Sequence, residues 1–517
     1  MTTTQEPVAG AQTAMDRRSV LQALSGLMMG MFVAILAGTV VSNALPTIIS
    51  DLGGSQSVYT WVVTAELLAM TTTVPLWGKL ADLYSQKLLV QGSLGLFVVG
   101  SLASGLAQDT TMLIAARVVQ GIGAGGLTAL VQIVMAAMIP PRELGRYAGI
   151  FGAVFAVGTV AGPLIGGLLV DTSWLGWRWC FFIGVPFSLA AIVLLQKTLK
   201  LQQVTRTGTR VDWLGALLIT AGVSTLLIWV TLAGNSYDWV SGTSALLVAG
   251  GLVLLALAVW VESRVADPVV PLSIFRNRTI TLTVVASALV GIALFGGTVF
   301  LSQYFQVSLG YSPTAAGLLS LPMIFGLLVS STVAGQLITR SGRWKRYLVA
   351  GASLMTLGFG LLATIDAQTS IVLIGAYMVV LGSGVGMLMQ NLVLAAQNDV
   401  PAAQLGSATS VLSFFRSLGG TVGVSVLGAV LAARVSSDLG ALGGASGGGH
   451  AAAPDMSALP PEVAGLVRDA YGDATAELFL IATPLAALAL VVVVFIKEKA
   501  LKTTSGAQRL EDERSVV

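Results

Sequence analysis

The chain is short of the residues on which reactive chemistry depends. It has one cysteine, Cys180, so no intramolecular disulfide can form. Its one histidine, His450, lies in a glycine/alanine tract, and the two residues offer neither a metal cluster nor a Cys/His catalytic pair. Charge is scarce as well. Only 10% of the 517 residues are Asp, Glu, Lys or Arg, where a soluble protein carries about a quarter. That deficit excludes a soluble globular domain. The net charge of +3 is spread among short loops, so nothing resembles a nucleic-acid footprint. With no phosphate-cradling loop, no nucleophile–base pair and no metal set, the chain is not expected to be an enzyme. What is abundant is apolar residues, 55% of the chain, and 60 glycines. Together these predict an all-α polytopic membrane protein.

Apolar runs of about 20 residues are long enough to span a bilayer as helices. Fourteen are legible, from 20–46 to 476–496, the faintest being 213–233 and 243–261. All but five of the 27 Lys and Arg fall in the tails or after even-numbered spans; the five are Arg117, Arg178, Arg416, Arg434 and Arg468. By the positive-inside rule both termini are then cytoplasmic, which requires an even number of spans. Residues 1–19 lack a small-residue cleavage site and read as a cytoplasmic tail.

The sequence also repeats. "GKLADLYSQK" (78–87) follows span 2 and "GQLITRSGRWKR" (335–346) follows span 10, while "RVVQGIGAGG" in span 4 is echoed by "MVVLGSGVGM" in span 12. This predicts six-helix bundles over 20–196 and 279–496, with helices 7 and 8 inserted in the region 197–278 and a tail at 497–517. Such repeats place a binding site near the midplane between halves. The glycine-rich tract 440–461 predicts a flexible outer loop within 434–475, with His450 a solvated loop residue.

Four stretches carry a family resemblance. Gly78 to Lys87 resembles the loop signature of the major facilitator superfamily. "LIAARVVQGIG" (113–123) is similar to its span-4 signature, "GTVAGPLIGG" (158–167) to the span-5 signature of drug:proton antiporters, and "TVVSNALP" (39–46) to the end of span 1 in their fourteen-span branch. The resemblance covers nearly the whole chain. It implies the major facilitator fold, with two six-helix bundles plus two inserted helices and alternating access to a central cavity. It further implies proton-driven export of hydrophobic or cationic compounds from the plasma membrane, by a monomer with no cofactor other than the proton gradient. The partners implied are an amphipathic small molecule, protons and the lipid bilayer. Export of one native lipid or metabolite, or a sensor or scaffold that has lost transport, are the rival readings.

Each motif has a physical reading. Gly78 permits a tight turn, and Asp82 can sit at the N-terminus of a neighbouring helix, whose dipole favours an anion. Asp82 is thereby a latch, with Lys87 closing the motif. Leu83, Ser85 and Gln86 stand where the family has Arg or Lys, Gly and Arg, which weakens the latch. Gly158, Gly162, Gly166 and Gly167 form a small-residue face that permits close helix approach, and Pro163 encourages a bend. In family terms this face seals the halves on the outer side; ordinary helix packing would use the same contacts.

Glu66 and Arg117 lie at similar depth, roughly 10–12 Å into their spans at about 1.5 Å per residue. Charges so placed are costly and need a cavity or a partner. The span-1 aspartate common in the fourteen-span exporters is Ala37 here, so we expect the proton-binding carboxylate at Glu66, balanced by Arg117, with Gln120 and Gly121 next to it. A permanent Glu66–Arg117 ion pair is the structural alternative. Polar residues in spans 1, 4, 9, 12 and 13 are the candidates for substrate contact: Asn43, Gln132, Gln303, Tyr304, Gln306, Gln390, Asn391 and Arg416. Aromatics beside them, Phe295, Phe300, Phe305 and Tyr377, would suit flat apolar compounds.

Overall fold

A backbone surrounded by lipid must satisfy its own hydrogen bonds, and the chain does so with helices. The computed structural model describes residues 17–53, 56–172, 175–199, 201, 211–234, 237–441 and 461–515. His450 lies outside the described residues, as does the stretch 442–460 to which it belongs. So do the side chains of Asn43 and Pro163.

Fourteen long helices can be numbered in chain order: α1 (Arg17–Asp51), α2 (Gln56–Leu83), α3 (Gln86–Gly105), α4 (Thr110–Met138), α5 (Ala148–Asp171), α6 (Gly184–Thr198), α7 (Trp213–Leu232), α8 (Gly242–Glu262), α9 (Arg278–Val307), α10 (Leu321–Ser341), α11 (Lys345–Leu362), α12 (Ile371–Asp399), α13 (Leu405–Ala441) and α14 (Pro461–Val494). A short α15 (Gly506–Ser515) follows. Sequence sets several boundaries directly. Asp109 caps α4 by accepting from Met112 N at 2.8 Å, Asp212 caps α7 through Gly215 N at 2.8 Å, and Asn277 caps α9 through Thr279 N at 2.9 Å. Gly342 ends α10 in the left-handed conformation at φ 71°.

Twelve helices among the described residues, three of them counted with a short preceding turn, are long and apolar enough to cross a membrane. The sequence led us to expect fourteen. The two that fall short are α2, which holds Glu66, Thr71, Thr72, Thr73 and Pro75, and α11, which opens on Lys345-Arg346. The expected outer loop at 434–475 is helical at both ends, since α13 runs to Ala441 and α14 starts at Pro461.

Packing repeats as the sequence does. In the first half α4 lies against α2 and α3, and α1 against α5 and α6; in the second, α12 lies against α10 and α11, and α9 against α13 and α14. The two echoed glycine runs explain the central helices. A Cβ at Gly123 or Gly125 would strike the α3 backbone at Phe97 or the α2 backbone at Met70. One at Gly384 or Gly386 would strike the backbone of α11 at Met355 or of α10 at Leu327. Each run thus lets two neighbours close on one helix. Helices α7 and α8 pack on each other, and α7 also packs on α2 and α13. The halves meet through α2–α13, α4–α13 and α5–α10.

Candidate gate and central cavity

The N-terminus of α13 presents backbone donors that have no partner within the helix. Asp82, at the end of α2, takes them. Its Oδ1 accepts from Gly406 N at 2.8 Å, and its Oδ2 from Ser407 N at 2.9 Å and Ser407 Oγ at 2.6 Å. The carboxylate also faces the positive end of the helix dipole. Close approach makes this possible: a Cβ on Gly406 would lie against the Gly78 carbonyl and Asp82, and one on Gly78 would overlap Ser410. Gly78 and Asp82 therefore join the two halves at the face where the even-numbered helices end. Lys87 serves elsewhere, its Nζ donating to the carbonyl of Gln196 at 2.7 Å to tie α3 to α6. Lys79, next to Gly78, is buried and reaches Asp267 at 3.9 Å.

Glu66 and Arg117 are brought together as a buried ion pair between Glu66 Oε2 and Arg117 Nη2. The pair is extended. Arg117 Nη1 donates to Gln120 Oε1 at 2.9 Å, and Gln120 Nε2 to Ser101 Oγ at 2.9 Å, so α2, α4 and α3 share one polar chain. The guanidinium also stands 5.8 Å from the centroid of Phe181. Gly121 supplies the close fit, since a Cβ there would meet the Glu66 carbonyl.

A small cavity of about 30 Å³ lies between the halves, lined by Gln132 and Met135 of α4, Leu144, Gly145 and Phe151 of the following turn and α5, and Gln390, Asn391, Val393, Leu394 and Gln397 of α12. Three expected cavity residues, Gln132, Gln390 and Asn391, thus share one wall system. The side-chain oxygens of Gln132 and Gln390 are buried and have no hydrogen-bond partner among the described residues; Asn391 donates to the carbonyl of Met387 at 2.7 Å.

The outer cluster of α9 does not join them. Tyr304 is buried in the core of the second half and donates to the Asp366 carbonyl at 2.7 Å; Phe300 and Phe305 are buried in the same core. Gln306 bonds within its own helix to Ser302, and Gln303 is half-buried two turns or more beyond the cavity level. Phe295 is 38% exposed and Tyr377 half-buried. Arg416 is buried midway along α13, with Ser413 Oγ at 3.5 Å as its contact.

On α5, Gly158 and Gly162 face α1 of the same half: Thr39 Oγ1 donates to the Gly158 carbonyl at 3.1 Å, and a Cβ on Gly162 would overlap Thr39. Gly166 is buried and Gly167 half-buried farther along. The close approach of α5 to α10 of the other half lies at its opposite end, where Gly145, Gly149 and Gly152 meet Gly335, Thr332 and Ser331; α5 also touches the short helix Pro313–Leu319 that precedes α10. Sequence reasoning missed this seam, although the spacing of 145, 149 and 152 is a helical small-residue face. It also missed Gly406-Ser407, the receiving end of the latch, and Gln397, which donates to Thr409 Oγ1 at 3.0 Å.

Two helical halves that repeat one packing, closed against each other at one face over a polar cavity, define a membrane transporter. Comparison makes the class specific. The model of the Major Facilitator Superfamily matches residues 27–424, and the chain belongs to that superfamily. It is 37% identical over 486 residues to an uncharacterised MFS-type transporter of Mycobacterium tuberculosis, covering 93% of this chain and 70% of that protein. It is 36% identical over 420 residues to the multidrug transporter protein MdtP of Bacillus subtilis (81% and 76% covered), and 29% identical over 500 residues to multidrug resistance protein 3 of the same organism (93% and 96%). The solved structure of the proton:xylose symporter XylE has the same fold, with a TM-score of 0.64 at 15% identity over 95% of this chain and 99% of that one.

Proposed function

We propose that the protein is a proton-coupled exporter of amphipathic drugs or metabolites, working by alternating access across the plasma membrane. The observation that carries the reading is the Asp82–α13 contact. It is a set of hydrogen bonds, separable without breaking either half, across the mouth of the one face where α2 and α13 meet. In this reading fourteen helices span the bilayer, both termini are cytoplasmic, and the closed face is the cytoplasmic one. The names of the similar multidrug transporters support export as the direction.

Glu66 is the proposed proton site. A carboxylate paired with Arg117 in a buried chain holds its charge only while the pair is closed. A change of side-chain conformation that opened the pair would leave it uncompensated and favour protonation. The test is energised efflux in everted vesicles, comparing the parent with Glu66→Gln at matched expression, using any amphipathic probe that the parent moves. Loss of uphill efflux with downhill exchange retained supports the assignment. Uphill efflux that survives the substitution returns Glu66 to a structural role.

A further inference from the structure

We propose that the central cavity selects amphipathic anions, and that Arg416 binds the carboxylate of the substrate. The proposal rests on the exporter reading above and adds the charge of the cargo.

The argument begins with a charge inventory. Away from the helix ends, the buried charged side chains of the described transmembrane helices are Glu66, Arg117 and Arg416. The first two neutralise each other. Arg416 is 8% exposed, and among the described residues no carboxylate pairs with it; its contact is Ser413 Oγ at 3.5 Å, at the outer limit of a hydrogen bond. A guanidinium stays protonated and has five N–H donors. The interior thus carries one net positive charge whose donors are almost all unspent. An isolated buried charge costs several kcal/mol relative to water. A ligand that delivers an anion to it recovers much of that cost, and a lipophilic cation adds to it.

Register places the charge at the depth of the cavity. Gln397 of α12 lines the cavity and bonds Thr409 of α13, which fixes where these two antiparallel helices face each other. Arg416 lies seven residues beyond Thr409, two turns deeper on the same face of α13, at about 1.5 Å of rise per residue. Gln390 lies seven residues before Gln397, two turns deeper on α12, and lines the cavity. Arg416 and Gln390 therefore stand at one depth on neighbouring helices, Arg416 just outside the residues that line the cavity. The unpartnered oxygens of Gln390 and Gln132 are acceptors for a hydroxyl or N–H on the same ligand, while Phe151 and Leu394 offer it an apolar wall. The chemistry fitted is an amphipathic carboxylate that also carries a hydrogen-bond donor.

A matched probe set tests this on the full-length protein. Pyrenebutyrate, pyrenebutanol and pyrenebutyl-trimethylammonium share one apolar body and differ in charge. Binding to the purified protein and gradient-driven movement in proteoliposomes are measured for all three. The expected order puts the carboxylate first. Arg416→Gln should weaken the carboxylate by about tenfold or more while leaving the alcohol nearly unchanged. Arg416→Lys should keep most of the preference, and Arg416→Glu should transfer it to the ammonium probe, a gain that misfolding cannot mimic. Equal handling of the three probes by the parent overturns the proposal, and needs no variant to fold. Movement of the ammonium probe and not the carboxylate overturns it while leaving the exporter reading intact. A parent that moves none of them under a proton gradient overturns both.

Discussion

Asp82→Asn keeps the size of the latch residue and removes its charge. Asp82 receives two backbone N–H groups and one hydroxyl from the start of α13, at 2.8, 2.9 and 2.6 Å. An amide has one acceptor oxygen, so it can keep the bond to Gly406 N and must give up the one from Ser407 N, while its N–H can donate to Ser407 Oγ in reverse. Loss of an N-terminal cap costs about 1 kcal/mol, and loss of a charge facing a partly buried helix N-terminus costs up to about 2 kcal/mol. The closed state should therefore lose about 1–3 kcal/mol, a shift of roughly ten- to a hundredfold toward opening at this face. The native chain suits the measurement, because its single cysteine, Cys180, is buried in a cluster with Ile48 near the far end of α1 and can be replaced by serine. A cysteine at position 390, on the cavity wall, then reports access to a membrane-impermeant maleimide in everted vesicles. Labelling should be about tenfold faster or more in the Asp82→Asn background. If the rate stays at the parental value in both Asp82→Asn and Asp82→Ala, the contact does not hold this face closed and the gate assignment fails.

Two further substitutions probe the same architecture. Gly406→Val forces a branched side chain against the Gly78 carbonyl, so it should hold α2 and α13 apart and raise the same maleimide labelling even with Asp82 intact. Arg509→Ala removes hydrogen bonds from the tail to the carbonyls of Gln397, at 3.3 Å, and Val400 at the end of α12; it should lower thermal stability in detergent by about 1–3 kcal/mol and expose residues beyond Lys502 to protease.

What could be read in advance was what depends on depth along a helix. Glu66 and Arg117 were placed at similar depth by counting residues, and the two do meet. Gln132, Gln390 and Asn391 were expected from the resemblance, as polar residues of spans that line the central cavity in the family, and one cavity collects them. What escaped was lateral position. Gln303 and Gln306 were grouped with the cavity residues, yet they sit toward the opposite end of α9, and Tyr304 turns into the core beside them. The partner of Asp82 was invisible because Gly406-Ser407 is more than 300 residues away and is, as a dipeptide, unremarkable composition; its meaning comes only from being the first turn of α13. The seam at Gly145, Gly149 and Gly152 escaped for a related reason. Small residues mark a close approach without naming the helix that approaches.

The repeat itself gives the strongest argument that the buried ion pair is there for work. Aligning "RVVQG" with "MVVLG" sets Arg117 against Met378, Gln120 against Leu381 and Gly121 against Gly382. The structure completes the correspondence: a Cβ on Gly121 would meet the Glu66 carbonyl, and one on Gly382 would meet the Met323 carbonyl. The second half therefore builds the same seam with Met323, Met378 and Leu381, all buried in its core, where the first half spends a glutamate, an arginine and a glutamine. The second half makes this seam without charges, and replacing a buried ion pair by well-packed apolar residues is often neutral or stabilising by about 1–4 kcal/mol. Installing the second half's solution in the first, as Glu66→Met, Arg117→Met and Gln120→Leu together, should give a protein that inserts, folds and unfolds at a temperature no lower than the parent. Arg117→Met alone, which strands the Glu66 charge, should lose about 3–5 kcal/mol. Thermal unfolding in detergent separates the two cases. The triple variant should retain downhill exchange and lose its dependence on the proton gradient. A triple variant as unstable as the single one would show that the ion pair holds the first half together, and that its chemistry is structural.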